Sequence, residues 1–131
     1  MRKDIEIPVV KDVYIAMVRE WNEEFLSQDW NAYIINNRKT PIEMVMVVSK
    51  GFDNAIRTSV MRHGIGVVGA RDYAKVELVQ EDVLKLHNEF SVTFFAEGKL
   101  YDKKYCFPKY SITEDALRDI PVMEARGILA E

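Results

Sequence analysis

The chain has 131 residues and a net charge of −3, and 48% of its residues are hydrophobic. This size fits one domain, residues 1–131, that buries about two thirds of the surface of its unfolded chain, and the apolar share excludes a disordered protein. Acidic and basic residues are mixed along the sequence and no apolar run approaches the roughly 20 residues that cross a bilayer, so DNA, RNA and membranes are all disfavoured as partners.

The N-terminal third of the chain alternates apolar and polar residues. Residues 5–7 predict a short edge strand that ends at Pro8, which lacks an N–H donor. Residues 12–19 are rich in β-branched side chains and predict a second strand, followed by a polar or helical excursion over 20–28. A helix over 12–27 is the alternative, because a helical stripe also fits this segment: Val13, Met17, Trp21 and Phe25.

The middle of the chain predicts three further strands. Residues 30–35 alternate and stop at a cluster of turn formers. Residues 42–48 are apolar on both faces, which is typical of a central strand covered on two sides. Residues 55–63 predict a half-exposed strand, and the glycines of residues 64–69 predict an irregular turn after it.

The C-terminal half contains the clearest local pattern. Residues 73–80 predict a strand with Ala74, Val76 and Leu78 on one face and Lys75 and Glu77 on the other, and 81–86 predict one helical turn. Residues 90–107 predict a hairpin that turns at Glu97 and Gly98, since glycine adopts the positive φ of a tight turn. A short helix capped by Thr113 is expected to end at Pro121.

These segments amount to seven to nine short strands and one or two short helices, without alternation of strand and helix. The pattern predicts an all-β fold, an antiparallel β-sandwich. The alternatives are an open barrel and an α+β fold in which residues 12–27 are helical.

Residue patterns for catalysis, metals and nucleotides are missing from the sequence. One cysteine with His63 and His87 gives no zinc-type spacing. The glycines of residues 64–69 superficially fit a phosphate-binding fingerprint, but no helix follows them. Cys106 lies between Tyr105 and Phe107, where we expect a buried, reduced core thiol rather than a nucleophile. We therefore expect no cofactor and no metal, and we lean against an enzyme.

The use of cysteine also bears on the compartment. A single cysteine cannot form an internal disulfide, and the chain opens without the pattern of a secretion signal. We expect a cytoplasmic protein.

The hairpin carries a nucleic-acid-like cluster of lysines and tyrosines. Asp102 interrupts this cluster, and exposed lysines also guard sheet edges against aggregation, so we favour the edge-protecting role. Its members are Lys99, Lys103, Lys104 and Lys109 with Tyr101, Tyr105 and Tyr110.

A local excess of basic residues over 57–75 gives the candidate binding site. Arg57, Arg62, Arg71 and Lys75 outnumber the acidic residues there, in a chain that is acidic overall. On a strand over 55–63, Arg57 and His63 would project to one face and Arg62 to the other. We predict a modest site for an anion or acidic partner, centred on Arg57 and His63.

Four segments carry a resemblance over nearly the full length: DIEIP (residues 4–8), DVYI (12–15), DWNAYIIN (29–36) and TSVMRH (58–63). The chain resembles a group of small uncharacterised bacterial proteins, some of which carry a phenylalanyl-tRNA synthetase name without the catalytic motifs of that enzyme. This chain does not contain those motifs either. The resemblance therefore implies no activity and transfers no functional residue.

Three hypotheses on function follow. The first is a non-enzymatic cytoplasmic binding or assembly module that contacts a protein partner or its own copy through a sheet face or edge. The second is a small-ligand carrier or minor enzyme with a site between the sheets. The third is a translation-associated RNA-binding accessory.

Overall fold

The computed structural model describes residues 8–131, which form two antiparallel β-sheets. One sheet has the strand order β5-β2-β1-β9-β8 and the other β4-β3-β6-β7. The strands are β1 (Val13–Asn22), β2 (Ser27–Asn36), β3 (Ile42–Phe52), β4 (Met61–Val68), β5 (Asp72–Val79), β6 (His87–Ala96), β7 (Lys99–Phe107), β8 (Arg118–Asp119) and β9 (Arg126–Leu129). The predicted all-β sandwich is confirmed, and the α+β alternative is wrong because residues 13–22 continue as one strand.

The helical content of residues 8–131 is limited to two 3-10 turns, Glu81–Lys85 and Glu114–Ala116. The first confirms the predicted helical turn. The second replaces the expected capped helix: the Thr113 side chain makes no capping hydrogen bond, and Leu117 is already extended. Neither helical segment is long and apolar enough to cross a membrane.

The main core lies between the two sheets, where alternate residues of each strand point inward. Its largest fully buried side chains come from both sheets and include Phe90, Phe94, Tyr105, Phe107, Ile15, Met17, Ile34 and Ile42. The phenolic hydroxyl of Tyr105 donates a hydrogen bond of 2.5 Å to the carbonyl oxygen of Val13 in the opposite sheet. Burial raises the pKa of this phenol, which stays neutral and joins the sheets.

A second, smaller core covers the outer face of the five-stranded sheet. Ile120 and Met123, in the segment before β9, pack on Ala16, Val18 and Ile35. β1 is therefore buried on both faces. The four-stranded sheet has no such cover among residues 8–131, so its outer face remains open.

The C-terminal residues join the two sheets at one side of the sandwich. The amide of Ala130 donates to the carbonyl of Ile15 at 2.9 Å, and Glu131 and Cys106 exchange two backbone hydrogen bonds of 2.9 and 3.0 Å. The edge strand β7 is thereby paired at Cys106. At the opposite side of the sandwich, the edge strands β4 and β5 lie against each other.

Three predicted elements differ from the structure. β3 is central in its sheet, as predicted, but it is covered on one side only, because Met44 and Met46 are exposed. The strand predicted over 55–63 begins only at Met61, since the preceding residues form a loop that hydrogen bonds back to Gly51. The edge strand predicted over residues 5–7 lies outside the described residues.

The predicted glycine turn is also wrong, because Gly64 and Gly66 lie inside β4. Gly66 has a φ of +87° and pairs with Val45 at an irregularity in the register. A residue without a Cβ accepts this bulge at little cost. The strand therefore continues to Val68, with Val67 outward and Val68 inward.

The hairpin of β6 and β7 is confirmed. Ala96 pairs with Lys99, which leaves a two-residue turn of Glu97 and Gly98 with φ values of 53° and 77°. Positive φ at both positions is the geometry of a type I′ turn, whose twist matches that of paired strands.

Candidate functional site

Three polar side chains meet between the sheets where β4 and β5 lie against each other. Oε1 of Glu77 accepts a hydrogen bond from Oγ of Ser49 at 2.5 Å and lies 2.7 Å from Nε2 of His63. Ser49 is buried, and the side chains of Glu77 and His63 are only 14% and 20% exposed. The three residues come from β3, β4 and β5, so the cluster joins the two sheets; we call it the Ser49–His63–Glu77 cluster.

The strand registers explain why these side chains point inward. His63 pairs with Val47, a core residue, and so faces the core side of its sheet. On β5, Ala32 pairs with Glu77 whereas Tyr33 pairs with Lys75, so β5 contains one extra residue at this point. The bulge reverses the alternation and turns Glu77 inward.

A cleft of about 320 Å³ adjoins the cluster. Its apolar lining includes Met61, Leu78, Val79 and Val83, and its polar lining includes Ser49, Thr58, Ser59, Glu77, Gln80 and Asn88. This combination of an apolar wall with a few convergent polar groups is typical of small-molecule sites.

Gly51 allows the loop before β4 to pack closely against β3 and form part of the cleft wall. A Cβ at this position would lie 3.1 Å from the methyl group of Thr58 and 3.3 Å from Val83. The amide of Gly51 donates to Oγ1 of Thr58 at 2.8 Å, and the amide of Thr58 donates to the carbonyl of Gly51 at 2.9 Å. Because Gly51 has no side chain, the loop before β4 can approach β3 closely, and these two hydrogen bonds hold it there.

The order of hydrogen bonds in the cluster does not match that of a serine hydrolase. A nucleophilic serine must hydrogen bond to a histidine base, which a carboxylate then orients. Here Glu77 lies in the middle, and Ser49 donates to Glu77 rather than to His63. The cluster therefore offers a partly buried hydrogen-bond acceptor instead of an activated hydroxyl.

The two residues of the predicted binding site are not joined in the structure. Arg57 is exposed in the loop before β4, where it forms an isolated bridge with Phe52. Among residues 8–131, no hydrogen bond or ion pair links Arg57 to His63, whose partner is Glu77. Arg62 projects to the outer face of its sheet, opposite to His63, as expected. Ligand binding by Arg57 and His63 remains a prediction.

Ser49 and Glu77 were not predicted from the sequence. The alternation of residues 73–80 puts Glu77 on the polar face of its strand and Leu78 on the apolar face, but Leu78 is 39% exposed and Glu77 points inward. The bulge on β5 reverses these faces, and no glycine or proline in residues 73–80 indicates it.

Cys106 is half-buried rather than part of the core. It alternates with the buried residues Tyr105 and Phe107 and therefore faces the outer side of β7. Burial raises the pKa of its thiol, and the carboxylates of Glu89 and Glu131 raise it further. A raised pKa disfavours the thiolate that a nucleophile requires.

The lysine and tyrosine cluster of the hairpin is divided between core and surface. Tyr101 and Tyr105 are buried, whereas Tyr110 is 69% exposed. Nζ of Lys103 lies 4.8 Å from the centroid of the Tyr105 ring, which it covers. The buried rings cannot stack with bases, so this cluster lacks the row of exposed aromatics used to bind single strands.

The second candidate surface is the uncovered outer face of the four-stranded sheet. One end of this face exposes five apolar side chains, which we call the outer patch; their exposed fractions range from 38% to 71%. Phe95 pairs with Leu100, and the bulges of β3 and β4 lie beside them. The outer patch consists of Met44, Met46, Val67, Phe95 and Leu100.

Beyond the outer patch, the outer face carries equal numbers of acidic and basic side chains, with Val48, Ser91 and Thr93 between them. Nζ of Lys50 lies 3.6 Å from Glu89 on the neighbouring strand. The strand registers place the charged residues on the side opposite the core. They are Glu43, Glu89 and Asp102 against Lys50, Arg62 and Lys104.

Among residues 8–131, no three His, Cys, Asp or Glu side chains come together in a group that could hold a metal ion. No protein-family model matches this chain, and the comparison with curated proteins gives no match.

Proposed function

We propose that this protein is a cytoplasmic assembly module whose outer sheet face binds a second copy of the chain. The observation that carries the proposal is the outer patch, which exposes apolar side chains on adjacent strands at one end of an uncovered sheet. Scattered apolar residues are normal on a protein surface, whereas a contiguous group on one face marks an interaction site. The single cysteine supports a reducing compartment.

The charges of the outer face support its own copy as the partner. Pairing about a two-fold axis brings a surface onto itself, so a surface of one sign would repel its copy. Because the outer face has equal numbers of acidic and basic groups, the acidic groups of one copy can lie opposite the basic groups of the other when the two outer patches pack together.

The size of the outer face sets how much of it a dimer must use. Four strands spaced about 4.8 Å apart and about eight residues long cover roughly 500 Å² in projection. Side-chain relief raises the accessible area above the projected area. A standard interface buries about 800 Å² on each partner, so nearly the whole face is needed.

Sedimentation velocity over a range of concentrations tests the proposal. We expect the unmodified protein to dimerise and Phe95→Glu to weaken the dimer by about 30-fold to 800-fold, because each dimer contains two substituted rings that cost about 1 to 2 kcal/mol each. Phe25→Glu is the matched control, since Phe25 is 67% exposed in the turn between β1 and β2. A protein that stays monomeric up to about 0.5 mM, or equal effects of the two variants, would overturn the proposal.

A further inference from the structure

We propose that the cleft beside the Ser49–His63–Glu77 cluster binds a small alkylammonium ion, with the carboxylate of Glu77 as the group that binds its charge. This site is separate from the outer sheet face, because Glu77 points between the sheets. It would bind a cation, whereas the site predicted from the basic residues around His63 would bind an anion.

Glu77 has unused hydrogen-bonding capacity. A carboxylate accepts about four hydrogen bonds. Both partners of Glu77, Ser49 and His63, lie on Oε1, and no donor among residues 8–131 lies within hydrogen-bond distance of Oε2. Oε2 can therefore accept hydrogen bonds from a ligand bound in the cleft, which Glu77 lines.

Among residues 8–131, Glu77 also lacks a lysine or arginine partner for its charge. No lysine or arginine of the described residues forms an ion pair with Glu77, and its one charged or chargeable partner is His63. Lys50 lines the cleft, but its Nζ lies 3.6 Å from Glu89 on the outer face. An ammonium group bound in the cleft would give Glu77 the cationic partner that no lysine or arginine of the described residues supplies.

The cleft also has the shape and lining for an alkyl chain. Met61, Leu78, Val79 and Val83 supply an apolar wall for an alkyl chain. The cleft volume of about 320 Å³ is large enough to hold an ammonium ion with a four-carbon chain. Exposed Ser59 and Met61 lie among the lining residues and give the cleft an opening to solvent.

Titration of the ¹⁵N-labelled protein with n-butylammonium chloride tests the inference, with 1-butanol and sodium butyrate as matched probes. We expect saturable amide shifts at Ser49, His63 and Glu77 with butylammonium, an affinity about tenfold lower for butanol, and no saturation with butyrate. Equal affinities for the three probes, or no saturation with butylammonium, would overturn the inference.

Two variants separate binding from folding. Glu77→Gln removes the charge and is expected to weaken butylammonium binding by about tenfold, whereas Glu24→Gln, at an exposed position in the turn after β1, should bind as the unmodified protein does. Ser59→Phe fills the mouth of the cleft and should abolish binding in a protein whose spectrum shows it to be folded. Undiminished binding by folded Ser59→Phe would contradict the inference even if Glu77→Gln failed to fold.

Discussion

Replacement of Asn36 by alanine removes a buried amide that ties two loops to the end of β2. Nδ2 of Asn36 lies 3.0, 3.2 and 2.9 Å from the carbonyl oxygens of Thr40, Val68 and Gly69, and Oδ1 accepts from the amide of Arg38 at 3.0 Å. The residue is fully buried, so water does not replace these partners.

The magnitude follows from the number of bonds. The two hydrogens of Nδ2 serve two carbonyls at a time, and Oδ1 adds one bond. At about 1 kcal/mol net for each bond, and more where a buried group stays unpaired, Asn36→Ala should cost about 3 kcal/mol of unfolding free energy. Urea denaturation measures this cost as a lower midpoint with an unchanged slope.

Two further variants make the result decisive. Asn54→Ala, at an exposed loop position, should change the unfolding free energy by less than about 0.5 kcal/mol. Asn36→Asp places a carboxylate against carbonyl oxygens, which raises its folded-state pKa above the unfolded value of about 3.9. The folded state then binds more protons, so this variant should lose stability as the pH rises above about 4. A loss below about 1 kcal/mol for Asn36→Ala would show that these hydrogen bonds add little to the stability of the folded protein.

Three other predictions concern stability and reactivity. Gly98→Ala should lower the unfolding free energy measured by urea denaturation by about 1 kcal/mol, because the φ of Gly98 is +77°. Gly64→Ala should change it very little, because a Cβ at Gly64 meets no atom within 4 Å. Equal losses for the two variants would contradict the turn at Gly98. Gly127→Ala should cost about 1 to 3 kcal/mol, because its Cβ would lie 2.8 Å from the carbonyl oxygen of Met17; an unchanged midpoint would contradict this packing. Burial raises the pKa of Cys106, so its reaction with a thiol reagent at pH 7 should be slower in the native protein than in denaturant and should accelerate as the pH rises; equal rates in the two states would be inconsistent with the structure.

The sequence predicted the sandwich because period-two alternation is a local property. β6 shows this alternation along its whole length, and the turn of the hairpin is specified by Gly98, which has a positive φ. The strand over 12–19 was predicted correctly because β-branched side chains outweighed the competing helical spacing.

Bulges explain why the candidate site was not predicted. The extra residue on β5 turns Glu77 inward, and the glycine bulge on β4 was interpreted as a turn. Both bulges depend on how one strand registers against its neighbour, which is a tertiary property that period-two reading of a single segment does not contain.

The open outer face has a similar origin. The run 42–48 is apolar on both faces, and such a run is typical of a strand buried on both sides. The exposed side chains of Met44 and Met46 show that no segment of residues 8–131 covers the outer side. Their apolar character is therefore available for contact with another molecule.

Self-association through the outer face is tested most directly by an isotope-filtered NOE experiment on a mixture of labelled and unlabelled protein. If two copies pack through the outer patch, we expect intermolecular NOEs between the methyl groups of Met44 or Met46 on one copy and the ring of Phe95 on the other. Intermolecular NOEs confined to the five-stranded sheet, or none at a concentration of about 0.5 mM, where a standard interface should be populated, would contradict it.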